Sequence, residues 1–147
     1  MHPCPLDSDN WFVVQLHQKP TSSHYDIRFT YMRERGRCTL LSFAISSSKY
    51  KDYLNGVASR VAVFPTSDHE VSYGSFSGML RRGDKTEYIT IEDKGRVTYR
   101  KLSARKITLI FHGRRLRGKH IFLRIDRNQS SDPYCAGAKW LLIRGYN

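Results

Sequence analysis

The sequence predicts an all-β fold, mainly antiparallel, whose strands close into a β-barrel with little helix. Apolar and polar residues alternate in short runs, as in Ile107, Leu109 and Phe111, and this two-residue period is typical of strands that bury one face. Turn-forming tripeptides separate such runs: Arg82-Gly83-Asp84, Lys94-Gly95-Arg96 and Arg117-Gly118-Lys119. Many short strands joined by regular turns favour a barrel or sandwich over a helical fold.

Extended runs follow one another along most of the chain. The predicted strands are residues 11–16, 24–31, 38–45, 60–64, 87–91, 96–101, 107–112, 119–126 and 139–144. One helix is predicted over residues 47–59, where Tyr50, Tyr53, Leu54 and Val57 recur at helical spacing, although Gly56 disfavours it. Residues 128–137 are rich in Ser, Asp and Pro and predict a loop.

Length and charge limit the kind of protein and partner. A chain of 147 residues is the size of one domain, so we expect a single domain over 1–147, monomeric, with residues 1–10 as a flexible tail. Lys and Arg total 25 against 13 Asp and Glu, a formal net charge of +12. This excess favours a nucleic-acid partner, because each neutralised phosphate releases condensed counterions. A membrane-surface protein is the weaker alternative, since no long basic amphipathic helix is visible.

The N-terminal residues and the cysteines indicate in which cellular compartment the protein is expected. Apolar stretches are far shorter than the roughly 20 residues that span a bilayer, and residues 1–10 lack the pattern of a secretory signal. We therefore expect an intracellular protein without membrane contact, cytoplasmic or nucleoid-associated if prokaryotic. Cys4, Cys38 and Cys135 are odd in number and lack CxxC spacing, so we interpret them as ordinary thiols.

One predicted strand carries three chemically active side chains. Residues at i, i+2 and i+4 of a strand share a face, so His24, Asp26 and Arg28 point to one side. Their neighbours point the other way, into a core: Tyr25, Ile27 and Phe29. Imidazole and carboxylate bind divalent cations, and a guanidinium grips phosphate bidentately. The alternative is a solvated strand face with Asp26 and Arg28 as a weak ion pair.

A second histidine extends this pattern. His17 ends the preceding strand and lies across a turn containing Pro20 from His24, so the two imidazoles can meet at the rim of one hairpin. Three ligands, His17, His24 and Asp26, would leave coordination positions open for water and a phosphate oxygen, as catalytic metals require.

These residues resemble the 3′-phosphoesterase domain at the start of bacterial DNA ligase D, which also occurs as stand-alone archaeal and bacterial proteins. The resemblance covers nearly the whole chain and depends on three sequence blocks that occur in the same order as in the family, with similar spacing. The first block is residues 12–17 (FVVQLH) with 24–29 (HYDIRF), and the second runs from Arg60 through Asp68 and His69 to Tyr73. The third joins residues 109–113, 116–118, 123–124 and 140–143.

The resemblance implies a β-barrel whose cavity holds Mn²⁺, with Zn²⁺ or Co²⁺ as alternatives. It implies a metal-dependent enzyme of DNA repair that removes 3′-phosphates and trims 3′-terminal ribonucleotides at DNA or DNA/RNA primer-template ends, with a DNA ligase or end-joining factor as partner. Its metal ligands would be His17, His24 and Asp26. Its catalytic and phosphate-binding residues would be Arg28, Arg60 and His69, with Tyr73 as a positioning group and His69 as proton donor to the leaving group.

The sequence departs from the family's pattern at three places. Six residues separate His17 from His24, where the family usually has five, which predicts a displaced imidazole unless the turn absorbs the extra residue. Only ten residues precede Trp11, and only Asp7 and Asp9 can replace the charged N-terminal segment of the family. Residues 79–86 replace a stretch rich in Pro and Gly, which predicts a loop of different shape.

Two other functions stay open from the sequence. The pair His24 and Asp26, with a distal His112 or His120, fits the facial triad of non-haem iron oxygenases. A barrel of this kind can also bind single strands without catalysis, by stacking bases on aromatic side chains such as Tyr50, Tyr53 and Trp140. Metal dependence separates an enzyme from a stacking module, and oxygen consumption would mark an oxygenase.

Overall fold

The structure is a computed structural model that describes residues 1–5, 10–33 and 36–146. Strands dominate these residues. They are β1 (Trp11–Gln18), β2 (Ser23–Met32), β3 (Cys38–Ser46), β4 (Arg60–His69), β5 (Gly78–Arg82), β6 (Lys85–Leu102), β7 (Lys106–His112), β8 (Arg117–Arg124) and β9 (Trp140–Arg144). A helix, α1 (Ser47–Leu54), follows β3, and a short 3₁₀ helix (Val71–Ser75) follows β4.

Eight of the strands close into a barrel in the order β1-β2-β3-β4-β9-β8-β7-β6, with β6 pairing back to β1. Neighbouring strands are antiparallel throughout, so the predicted all-β barrel with little helix is confirmed. β5 lies outside the closed ring, where it pairs with the first residues of β6. The long β6 therefore belongs to the barrel wall and to a β5–β6 hairpin.

The barrel interior is filled with large apolar side chains. Successive side chains of a strand point to opposite faces, and the apolar residues that face inward form one buried cluster around aromatic rings. Its largest members include Phe12, Phe29, Phe43, Phe111, Phe122 and Trp140. The predicted inward set Tyr25, Ile27 and Phe29 belongs to it, and α1 adds Tyr50 and Tyr53. The interior is thus a packed core, and a polar site has to lie on the other face of the wall.

Glycines explain two differences from the predicted elements. Residues 94–96 do not form a turn but continue β6, where Gly95 lies so close to the backbone carbonyl of His112 that only glycine permits the approach. The helix ends at Leu54 rather than at residue 59, because Gly56 adopts a left-handed conformation with φ of 77°. Among the described residues, no helix is long and apolar enough to cross a bilayer.

The interpretation of all three cysteines as ordinary thiols is wrong. Cys4 and Cys38 form a disulfide across 34 residues of sequence, and Cys135 is free. A backbone bridge between His2 and Met32 brings Cys4 close to Cys38, because Met32 is paired with Cys38 across β2 and β3. Residues 1–5 thus contact the barrel, while Asp7 and Asp9 lie outside the described residues.

Candidate metal centre

A β-hairpin brings two imidazoles and one carboxylate together. His17 of β1 and His24 of β2 are paired directly across the two strands, and their rings lie 4.8 Å apart. Asp26 is two residues further along β2, and its Oδ2 lies 3.2 Å from His24 Nε2. The ligand atoms of these three residues, the His–His–Asp cluster, all lie within 4.8 Å of one another.

The turn absorbs the extra residue between the two histidines. Gln18 pairs with Ser23, and the Lys19 N–H donates to the Ser22 carbonyl at 2.8 Å, which closes the hairpin. His17 and His24 therefore stay opposed despite the six intervening residues. The donor set of two nitrogens and one carboxylate oxygen suits Mn²⁺, Zn²⁺ or Co²⁺, so the cluster fits a divalent cation.

The cluster lies on the outer face of the barrel wall. Because His24 and Asp26 alternate with Tyr25 and Ile27, which belong to the apolar core, they point away from the barrel interior. The expectation of a metal inside the barrel cavity is therefore wrong, since large side chains fill that cavity. The solvated strand face is excluded as well, because Asp26 is only 3% exposed and Arg28 only 4%.

Arg28 is held by side chains from three strands and by the end of a fourth. Its Nε donates to Gln15 Oε1 at 2.7 Å, and one terminal nitrogen donates to Ser42 Oγ at 2.8 Å. The same nitrogen approaches His69 Nδ1 at 3.2 Å, and the other lies 3.2 Å from Asp26 Oδ2. Burial lowers the pKa of Arg28 and the charge of Asp26 opposes this, so the guanidinium remains a fixed cation.

The end of β4 and the 3₁₀ helix cover this arginine. His69 ends β4 and pairs with Leu40 of β3, and the helix then places the Tyr73 ring 4.5 Å from the imidazole of His69. The Arg28 guanidinium carbon lies 5.1 Å from the centre of the Tyr73 ring. Gln15 holds the 3₁₀ helix in place by donating to the backbone carbonyls of Tyr73 and Phe76, at 2.9 and 3.1 Å. His69, Tyr73 and Arg28 thus form one continuous group next to Asp26.

His69 is biased toward its neutral form. Burial and the charge of Arg28 lower its pKa, against a smaller opposing effect of the Ser67 carbonyl. A guanidinium can only donate, so in one neutral tautomer Nδ1 accepts the bond from Arg28 and the ring proton is on Nε2. The other tautomer would donate from Nδ1 to the Ser67 carbonyl, 3.0 Å away. Arg28 and Ser67 therefore compete for the same nitrogen.

Arg60 does not join this group. It begins β4, is exposed and pairs with Ile143, whereas His69 ends the same strand. An extended strand rises about 3.3 Å per residue, so the two residues lie at opposite ends of β4, up to about 30 Å apart. The predicted contact of Arg60 with the same phosphate is therefore wrong. The strand pattern covered only residues 60–64 and did not predict the path from there to His69.

Three neighbours of the group were not predicted. Gln15 lies two residues before His17 in the FVVQLH block and on the same strand face, so its position was accessible from the alternation. Ser42 comes opposite Arg28 only through the register of β2 and β3. Glu87 accepts a bond from His17 Nε2 at 2.6 Å, and this bond lowers the pKa of the Glu87 carboxyl. It reaches His17 only because β6 closes the barrel onto β1.

The residues of the two alternative functions lie elsewhere. His120 is buried, and its ring nitrogens contact the Tyr53 hydroxyl at 2.6 Å and the Arg117 carbonyl at 2.8 Å. His112 is exposed and contacts the Thr98 hydroxyl, so neither histidine completes a facial triad with His24 and Asp26. The aromatic residues proposed to stack bases are at most 3% exposed and belong to the core: Tyr50, Tyr53 and Trp140.

Fold and site together define a β-barrel protein with a candidate divalent-cation centre beside a fixed, buried arginine. The family model of the DNA Ligase D 3′-phosphoesterase domain matches residues 15–124, well over half of the chain. The chain belongs to this family, which confirms the resemblance and supports a phosphoesterase that processes 3′ ends of nucleic acid. A comparison with curated proteins found no match.

Proposed function

We propose that this single-domain protein is a metal-dependent phosphoesterase of DNA repair that removes 3′-phosphates and trims 3′-terminal ribonucleotides at primer-template ends. One observation carries the proposal: the His–His–Asp cluster shares Asp26 with Arg28, whose nitrogen lies 3.2 Å from the Asp26 carboxylate. A cation ligand and a phosphate-binding group are thus adjacent. The net charge of +12 supports a nucleic-acid substrate, and a ligase or end-joining factor is the partner such an end-processing step would serve.

His17, His24 and Asp26 would hold the cation, with Mn²⁺ as the first choice and Zn²⁺ or Co²⁺ as alternatives. When bound, a divalent ion acts as a Lewis acid that polarises a phosphoryl oxygen. Arg28 binds the same phosphoryl group and stabilises the charge on its oxygens. The bonds of Arg28 to Gln15 and Ser42 orient the guanidinium before substrate arrives, so little reorganisation is needed.

His69 and Tyr73 complete the phosphate-binding side. With Nδ1 accepting from Arg28, His69 directs its Nε2 proton to a phosphate oxygen as a hydrogen-bond donor. Its lowered pKa disfavours the imidazolium in the free protein. A bound phosphate dianion raises that pKa, so substrate binding favours the imidazolium, in which Nδ1 donates to the Ser67 carbonyl instead and Nε2 protonates the leaving oxygen. Tyr73, packed on both His69 and Arg28, positions the group.

A labelled primer-template tests the proposal. One substrate ends in a 3′-phosphate and a second in a single 3′-ribonucleotide, and each is incubated with Mn²⁺ or with chelator. We expect conversion with Mn²⁺ alone, and a loss of at least about a hundredfold in His24→Ala and Asp26→Ala. The matched control is His112→Ala, an exposed histidine outside the cluster, which should retain activity. Conversion that persists in chelator, or in both cluster variants, would contradict the proposal.

A further inference from the structure

The β5–β6 hairpin brings a carboxylate to the His–His–Asp cluster from outside the three sequence blocks that resemble the family. Glu87 Oε1 lies 2.6 Å from His17 Nε2, and both side chains are largely buried, at 9% and 12% exposure. The contact follows from register, since His17 pairs with Ile89 across β1 and β6 and Glu87 is two residues further on the same face. Glu87 comes directly after residues 79–86, where the sequence departs from the family's pattern.

The chemistry of this contact selects one form of the imidazole. A carboxylate can only accept, so His17 has to donate from Nε2, and the lone pair of a neutral ring is then on Nδ1. A cation binds only a nitrogen with a lone pair. Metal-binding histidines commonly donate their other ring N–H to a carboxylate, which fixes the ring and makes it a better ligand.

Glu87 also forms an ion pair with a cation on the hairpin. Arg82 Nε lies 3.4 Å from Glu87 Oε1, and Arg82 pairs with Lys85 at the end of β5. The Arg82 side chain is 66% exposed, so this pair contributes little to stability. The carboxylate is oriented toward β1 by the strand register and by its bond to His17.

We propose that Glu87 is a positioning residue of the cation site, which holds His17 in the tautomer that presents its Nδ1 lone pair to a divalent ion. The proposal rests on the proposed function only in treating the His–His–Asp cluster as a cation site. Glu87 acts through His17 and needs no contact with the substrate. The hairpin that distinguishes this sequence from the family's pattern would thus contribute to metal affinity.

The tautomer can be measured without metal. Long-range ¹H–¹⁵N correlation spectra of the metal-free protein at pH 8 report which nitrogen of His17 carries the proton. We expect the Nε2–H form in the wild type and in Glu87→Gln, whose amide oxygen still accepts the bond, and a mixture of tautomers in Glu87→Ala. An Nδ1–H form in the wild type overturns the proposal, whether or not the variants fold.

Metal affinity gives the second readout. Titration calorimetry with MnCl₂ should show binding to Glu87→Ala weakened by about 10- to 100-fold, with Glu87→Gln less affected. Glu92→Ala is the matched control, an exposed glutamate on the same strand, and should bind as the wild type does. Equal affinity in wild type and Glu87→Ala overturns this inference alone. A wild-type protein that binds no Mn²⁺ instead contradicts the proposed function, and the tautomer measurement then decides on Glu87.

Discussion

At the residue scale, the site depends on how Arg28 is held. Its guanidinium contacts Gln15, Ser42, His69 and Asp26, each through a defined nitrogen. The planar guanidinium of arginine donates hydrogen bonds in several fixed directions, whereas the ammonium of lysine is a compact charge at the end of a flexible side chain. The identity of this residue as arginine, and not only its charge, therefore matters for binding a phosphoryl group.

Replacing Arg28 by lysine tests this requirement. We expect Arg28→Lys to lower kcat/KM on the 3′-phosphate substrate by about a hundredfold or more, because the oriented donors aimed at the phosphoryl oxygens are lost. Arg60→Lys makes the same change at the far end of β4 and should stay within about twofold of the wild type. Steady-state kinetics of both variants measure the difference. A larger loss in Arg60→Lys than in Arg28→Lys would refute the placement of the phosphate site.

The residues that the sequence could predict are those that depend on local geometry. His24, Asp26 and Arg28 follow from the two-residue period of one strand, and His17 follows from a single hairpin turn. Glu87 could not be predicted, because its contact with His17 requires the closure of β6 onto β1, across 70 residues of sequence. The wrong assignment of Arg60 to the phosphate site has the same origin, because its distance from His69 depends on the path of β4.

At the scale of elements, one aspartate joins strand β6 to the connection between β7 and β8. Asp93 of β6 is buried, and its carboxylate accepts the backbone N–H groups of Arg114, Arg115 and Leu116, at 2.7 to 2.9 Å. These residues form the connection between β7 and β8. The sequence predicted a turn at Arg117-Gly118-Lys119, but these residues begin β8, and the connection lies at residues 113–116. No pattern in the sequence indicated that a carboxylate of another strand closes this connection.

Removing this carboxylate should destabilise the barrel. In Asp93→Ala the N–H groups at the β7–β8 connection lose their acceptor, and we expect the free energy of unfolding to fall by about 3 kcal/mol. Urea denaturation measures this value. Asp84→Ala, in the exposed β5–β6 turn, is the matched control and should lie within about 0.5 kcal/mol of the wild type. Equal stability of the two variants would show that water replaces the Asp93 carboxylate.

At the scale of the whole molecule, the packed interior encloses a titratable group. His120 is 1% exposed and sits between the Tyr53 hydroxyl and the Arg117 carbonyl. Burial lowers its pKa from 6.5 to about 4, with a further contribution from the charge of Arg144. The unfolded chain therefore binds a proton at a higher pH than the folded barrel does.

This difference predicts the direction of the pH dependence. The contribution of His120 is constant above pH 6.5, and stability decreases as the pH falls from about 6.5 toward 4, because protons favour the unfolded chain. The loss attributable to this residue is about 3 kcal/mol at pH 4. Denaturation curves at pH 7 and pH 4.5 for wild type and His120→Gln measure it. An identical pH dependence in the variant would assign the effect to other groups.

The fold class, a closed antiparallel β-barrel, was predictable from the sequence, but the contacts that closure makes between distant residues were not. The alternation of residues such as Ile107, Leu109 and Phe111 marks strands because each buries one face. The Cys4–Cys38 disulfide and the separation of core and site onto opposite faces of the wall depend on contacts distant in sequence. The sequence motifs could therefore suggest a metal site without showing on which side of the barrel it lies.

The most direct test of the central claim locates the metal itself. Crystals of the protein soaked in MnCl₂, measured at the manganese absorption edge, should give an anomalous difference peak bounded by His17, His24 and Asp26, on the outer face of the barrel wall. The same peak should be absent from crystals of Asp26→Ala. A wild-type crystal whose manganese peak lies away from these three side chains, or that shows no peak, would contradict the account.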